Sequence, residues 1–266
     1  MNQAAIKNYE LTGSLGRGGF SSVFKARSTE GQVYALKVLN KSLTNNPQLV
    51  KLFLNEAAIL SRLEHKNICR LIECFSNGPE HVIVLEFIEG ADLRELMQAQ
   101  SPVPFKQAKD IACDCLAALQ YAYEKGILHR DIKPSNIMID RAGRTVLMDF
   151  GTSVAFSEII PNNTGRIISA AYCAPERFNG PDRHDIRSDI YSLGMVFYEL
   201  FTGRLPFNRE DIPDITAWHL KEVPLPADAC NPSLSPEISG AIKTALEKRP
   251  EDRFTDFNAF KTALGL

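Results

Sequence analysis

Near residues 86–90 this 266-residue chain changes character, from strand-like segments to helical ones. Before that point Tyr9–Gly16, Ser22–Ser28 and Gln32–Val38 are rich in β-branched and aromatic residues and are broken by Gly-rich or polar turns. Two more strands are expected around Ile68–Phe75 and His81–Phe87. One segment interrupts them. In Gln48–Leu63 the apolar residues Leu49, Leu52, Phe53, Ala57, Leu60 and Leu63 recur at helical spacing, after a proline suited to an early helix position.

Beyond Glu89-Gly90 the balance tips to helix. Asp92–Gln98 and Lys106–Lys125 have helical periodicity, with Gly126 as a C-terminal stop for the second. Asn136–Ile139 and Thr145–Met148 read as short strands around the turn Asp140–Gly143, and Ser188–Thr202 and Glu237–Lys248 read as long helices. The expected fold is therefore α+β, a small sheet-rich part joined near Glu86–Gly90 to a larger helical part. The length exceeds what one hydrophobic core usually serves.

Charge and cysteine usage narrow the function. A net charge of −2 provides no global field to recruit nucleic acid or an anionic membrane. There is no signal-like N-terminus and no apolar run long enough to span a bilayer, so no membrane segment is expected in this chain. The six cysteines form no C-x-x-C pair, which argues against a zinc module or disulfide framework and for reduced thiols in a cytoplasmic setting. Cys113 and Cys115 lie in an apolar stretch and are expected to be buried.

Six places in the chain carry chemistry. Leu15-Gly-Arg-Gly-Gly-Phe-Ser-Ser-Val23 is a Gly-rich turn between two expected strands, where backbone can approach phosphate closely; taken alone, an ordinary hairpin turn fits it better. It is no dinucleotide fingerprint, because a strand follows it. Lys37 ends the third strand, and Glu56 lies among the apolar residues of the early helix, where a carboxylate requires a cation. Lys37 is the natural partner, although lone lysines at strand ends are usually surface residues. His129-Arg-Asp131-Ile-Lys133-Pro-Ser-Asn136 is followed, after the turn at Asp140–Gly143, by Asp149-Phe-Gly151 and then by Ala174-Pro-Glu176. Each could be a turn in isolation. All in one order are not a coincidence of composition.

In that order the motifs resemble those of the eukaryotic-type serine/threonine protein kinase catalytic domain, from about Tyr9 to Phe260. The resemblance implies a bilobal fold, with an N-lobe over residues 1–87 and a C-lobe over 88–266. It implies Mg²⁺-dependent transfer of the ATP γ-phosphoryl group to protein Ser/Thr hydroxyls, with autophosphorylation. Backbone amides of Gly16, Arg17, Gly18, Gly19, Phe20, Ser21 and Ser22 would cover the phosphates. Lys37, oriented by Glu56, would hold the α- and β-phosphates. Asp131 would take the substrate hydroxyl's proton, Lys133 would steady charge on the transferring group, and Asn136 and Asp149 would hold Mg²⁺. Adenine would lie against Leu15, Val23, Ala35 and Met138, its edge read by backbone at Glu86–Ile88, with Leu85 as gatekeeper and Asp92 near the ribose. Asp189 matches a buried aspartate that braces the catalytic loop, and Arg253 an arginine that pairs with Glu176.

The pattern has departures. Ser21 replaces the third glycine, and Tyr191 stands where many members have tryptophan. Lys133 and Ser169 match Ser/Thr-directed members, while Ser135 replaces a glutamate found in many kinases that favour basic substrates. Arg130 resembles the arginine that meets an activation-loop phosphate, which makes Thr164 the candidate phosphorylation position. Two alternatives remain at this stage. A pseudokinase scaffold would lack one of the lysine or aspartates found here, and a small-molecule phosphotransferase would lack the A-P-E segment. A regulatory partner or dimer is left open.

Overall fold

The computed structural model describes residues 5–150, 167, 169–179 and 184–266. Its first part is an antiparallel six-stranded sheet: β1 (Ala5–Ile6), β2 (Tyr9–Arg17), β3 (Ser21–Ser28), β4 (Val33–Leu39), β5 (Leu71–Asn77) and β6 (Glu80–Glu86), in the order β1-β2-β3-β4-β6-β5. Alternation along the strands divides the apolar residues between two faces. Leu36, Val82 and Val84 pack with Ile6, Tyr9 and Ala26 on one side. Ala35, Ile83 and Leu85 face the other side, towards Phe53, Ala57 and Leu60 of the helix α1 (Pro47–Leu60).

Asn46 caps α1 by accepting the N–H groups of Gln48 and Leu49. The helix stops three residues before the expected Leu63. From Arg62 onward the chain turns with i−3 bonds, Arg62 N to Ile59 O and Leu63 N to Leu60 O. That spacing keeps Leu63 buried at a helical-looking interval without continuing the helix. β5 likewise begins at Leu71 rather than Ile68, because Ile68 and Cys69 are held elsewhere. Cys69 N donates to Leu147 O at 2.9 Å, and Leu147 N to Asn67 O at 2.8 Å, tying the large sheet's entry to a second sheet.

That second sheet is β7 (Gly90–Asp92), β8 (Ile137–Asp140) and β9 (Thr145–Leu147), antiparallel in the order β7-β8-β9. β7 occupies the stretch expected to be a simple hinge. A side chain at Gly90 would place its Cβ 1.9 Å from the Ile139 carbonyl oxygen, so only glycine allows this approach. The helices α2 (Leu93–Ala99), α3 (Phe105–Glu124), α4 (Ile186–Thr202), α5 (Ile212–Lys221), α6 (Ala227–Cys230), α7 (Pro236–Ala245) and α8 (Phe257–Ala263) complete the second part. α4 is apolar on nearly all sides and buried along its length, packed by α3, α6 and α7. α5, α6 and α8 lie in the part expected to be helical, although no individual bounds were expected for them. Cys115 is buried as expected, but Cys113 is only half-buried. Two positions on a helix point about 200° apart, so both cannot face the same core.

Candidate active site

Between the two sheets lies a cleft of about 460 Å³, within the range of small-molecule sites. Leu15, Gly16 and Val23 of the β2–β3 hairpin and Ala35 of β4 line one side, with Met138 of β8 opposite. Leu85, Glu86 and Ile88 line the back, and Asp92 lies in the wall leading to α2. The Glu86 side chain is committed elsewhere: it accepts Arg70 N at 2.9 Å and meets Arg144 at 3.3 Å. Asp92 is the N-cap of α2, in a reciprocal capping box with Glu95.

Not every residue expected at the cleft lines it. Arg17, Gly18, Gly19, Phe20, Ser21 and Ser22 do not. They form the hairpin tip, with Gly18 N donating to Ser21 O at 2.9 Å and the Phe20 ring 6.0 Å from Phe53 of α1. Glu95 and Met148 line the cleft although sequence reasoning passed over them, and so does Ser135, which was read only for substrate preference. Met148 had a usable signal in its place beside Asp149. Glu95 had none, because its capping role hides its closeness to the cleft.

At the cleft's inner end Lys37 Nζ donates to both Glu56 oxygens, at 2.7 and 2.8 Å, and to Asp149 Oδ1 at 2.7 Å. Glu56 is 1 % exposed, so its carboxylate has little water to solvate it. Burial pushes the Glu56 carboxyl up, to about 7, against the pull of Lys37. Burial would lower the Lys37 ammonium, but Asp149 and Glu56 together hold it above the lysine range. Burial would raise the Asp149 carboxyl too, and the Lys37 charge keeps it below the usual value.

A second cluster sits beside the first. Lys133 Nζ donates to Asp131 Oδ2 at 2.6 Å and to Ser169 Oγ at 3.1 Å. Asn136 directs its amide N–H groups at Asp131, to the carbonyl oxygen and to Oδ2, both at 2.9 Å. That orientation leaves the Asn136 carbonyl oxygen unused by Asp131. With Asp149 it offers hard oxygen donors of the kind that would suit Mg²⁺. Among the described residues no group of three or more His, Cys, Asp or Glu side chains forms a metal cage.

The backbone of His129 and Arg130 is braced from below. Asp189 of α4 accepts His129 N at 2.7 Å and Arg130 N at 3.0 Å. Arg177 Nη1 donates to Arg130 O at 2.8 Å. These bonds hold Arg130 at φ 70°, and Asp149 has φ 56°; both are left-handed conformations that cost a non-glycine residue energy. Burial pushes His129 below the usual imidazole range, so its ring packs as a neutral group 4.5 Å from Phe150. Gly151 and Thr164 lie outside the described residues.

The family model of the protein kinase domain matches residues 9–264. The chain belongs to the protein kinase domain family. It is 36% identical over 253 residues to the serine/threonine-protein kinase PknB of Mycobacterium leprae, covering 92% of this chain and 40% of that protein. A probable serine/threonine-protein kinase of Clostridium perfringens is 32% identical over 248 residues, covering 92% and 36%. The chain therefore spans about 40% of the length of the curated relatives it matches. The crystal structure of the Mycobacterium tuberculosis PknI kinase domain is similar over 100% of this chain and 98% of that one, with a TM-score of 0.76 and 25% identity. A structure of Rad53 residues 1–466 in complex with AMP-PNP, 24% identical, shares the fold at a TM-score of 0.80 over 97% of this chain and 66% of that one.

As in the rest of the family, a β-rich lobe meets a helical one across the cleft. Among the described residues no helix is long and apolar enough to cross a membrane.

Proposed function

We propose that this kinase domain transfers the γ-phosphoryl group of ATP to serine or threonine hydroxyls of protein substrates, with residues 1–87 as the N-lobe and 88–266 as the C-lobe. The observation that carries the reading is one hydrogen-bonded cluster: Lys133 joins Asp131 to Ser169, and Asn136 steadies Asp131 from the other side. A carboxylate held this way can receive a proton from an incoming alcohol. The neighbouring lysine meets negative charge building on the phosphoryl group.

ATP occupies the cleft with adenine among Leu15, Val23, Ala35 and Met138, the backbone of Glu86–Ile88 at its edge and Asp92 at the ribose. Gly16 to Ser22 cover its phosphates. Lys37, aimed by Glu56, holds the α- and β-phosphates. Asn136 and Asp149 supply oxygens for Mg²⁺, which neutralises charge on the phosphates when bound. Asp131 takes the proton as the hydroxyl oxygen bonds to the γ-phosphorus, and the bond from that phosphorus to the bridging oxygen breaks. ADP leaves with the electron pair.

The relatives' names, which specify serine/threonine kinases, support the hydroxyl class, as does the Lys133–Ser169 contact. The six unpaired cysteines suit a reducing cytoplasm. The test is radiolabelled transfer from γ-labelled ATP to a generic protein substrate, followed by phosphoamino-acid analysis. Label on phosphoserine and phosphothreonine is expected; label on phosphotyrosine alone, or none with ATP bound, overturns the reading.

A further inference from the structure

Asn40 follows β4, three residues beyond Lys37, at the N-cap of a short 3₁₀ turn formed by Lys41–Leu43. An asparagine there ordinarily turns its side chain onto the turn's own N–H groups. This one makes no such bond. It reaches across to the glycine-rich tip instead. Its Nδ2 donates to Gly18 O at 2.9 Å, its Oδ1 accepts from Ser22 Oγ at 3.0 Å, and its backbone N donates to Phe20 O at 3.0 Å. One residue thus grips the tip at three alternate positions, from just beyond the strand that carries Lys37.

The consequence follows from peptide planarity. In a trans peptide the carbonyl of one residue and the N–H of the next point in opposite directions. Asn40 holds the carbonyls of Gly18 and Phe20 on its own side, so the N–H groups of Gly19 and Ser21 are turned away from it. Without the clamp, a tip containing Gly18-Gly19 would sample many backbone states, since glycine has the widest conformational freedom. Ser21 and Ser22 pair with Leu39 and Val38 of β4, which places the clamped tip in register with Lys37, itself opposite Val23.

We propose that Asn40 is a positioning residue for nucleotide binding: it sets the glycine-rich tip so that its outward amides meet the phosphates, in register with Lys37. The inference rests on the ATP-site reading above. It predicts that Asn40 matters for the phosphates of a nucleotide and not for its nucleoside.

The experiment compares dissociation constants for ATP with Mg²⁺ and for adenosine, in wild-type, Asn40→Ala, Asn40→Asp and Ser22→Ala chains, by titration calorimetry. Asn40→Ala is expected to weaken ATP on the order of tenfold, the effect of losing two neutral hydrogen bonds, and to leave adenosine unchanged. KM for ATP rises accordingly, with KM for the protein substrate unmoved. Asn40→Asp, which keeps the shape but cannot donate to Gly18 O, gives a loss of at least that size. Ser22→Ala gives a smaller one. If Asn40→Ala fails to fold, judged by circular dichroism, Asn40→Asp decides. Equal weakening of ATP and adenosine, or no change in either, overturns the proposal. A wild-type chain that binds ATP no better than adenosine overturns the phosphotransfer reading itself, and this proposal with it.

Discussion

Arg253 and Glu176, 77 residues apart, meet in a two-point ion pair, Nη1 to Oε1 and Nη2 to Oε2, both at 2.9 Å. The arginine side chain is fully buried. Its remaining donors go to the carbonyls of Glu247, Arg187 and Lys248 at 2.7–3.0 Å, so all five are used. Arg253→Met strands the Glu176 carboxylate and three carbonyls. The expected loss is about 3–5 kcal/mol of stability, read as a fall in denaturant midpoint. An unchanged midpoint would show the pair to be incidental.

The same pair sets an acid limit. Although burial works to raise it, Arg253 holds the Glu176 carboxyl below its ordinary value of 4.5. A depressed folded-state pKa gives stability that is complete above 4.5 and is lost as pH falls through the lowered value. Wild type should therefore lose stability in acid more steeply than Glu176→Gln. Parallel stability curves below pH 5, an ordinary carboxylate range, would contradict this.

Lys37→Met should keep the circular dichroism of the wild type and lower phosphoryl transfer on the order of 10²–10³-fold, the usual effect of removing one fixed electrostatic group. Glu56→Gln should be milder in rate but should raise the Mg²⁺ concentration needed, because Lys37 then rests wholly on Asp149. A folded Lys37→Met chain with full activity would remove lysine from the mechanism.

Asp131→Asn should lower kcat on the order of 10²–10⁴-fold, typical for a positioned acid–base group. ATP affinity should stay as it is, since the role proposed for Asp131 is toward the acceptor hydroxyl and not toward the nucleotide. A nucleotide dissociation constant that rises in step with the lost rate would assign Asp131 another role.

Asp149→Asn removes an anionic oxygen donor and one anion from Lys37. Mg²⁺-dependent strengthening of nucleotide binding should largely disappear, while metal-free binding changes little. A metal titration superimposable on wild type would exclude Asp149 as a ligand.

Local signals carried much of this protein. The glycine-rich hairpin, the helix start at Pro47, the strand–helix division and the order of the motifs are written in neighbouring residues, because turns, helix starts and periodicity depend on a few bonds each. The long helices were found within a few residues of their ends. What needed the tertiary structure is what joins distant residues. Lys37 lies 112 residues from Asp149 and Asp189 lies 60 from His129, and no periodicity specifies such contacts. Packing decided them: α1 swings Glu56 under the sheet, and α4 carries Asp189 to the backbone of His129 and Arg130. Packing also overruled local readings. β7 formed where a hinge was expected because Gly90 lets two backbones close together. Asn40, which no local sequence pattern singles out, acquired its contacts only when folding laid the glycine-rich tip across it.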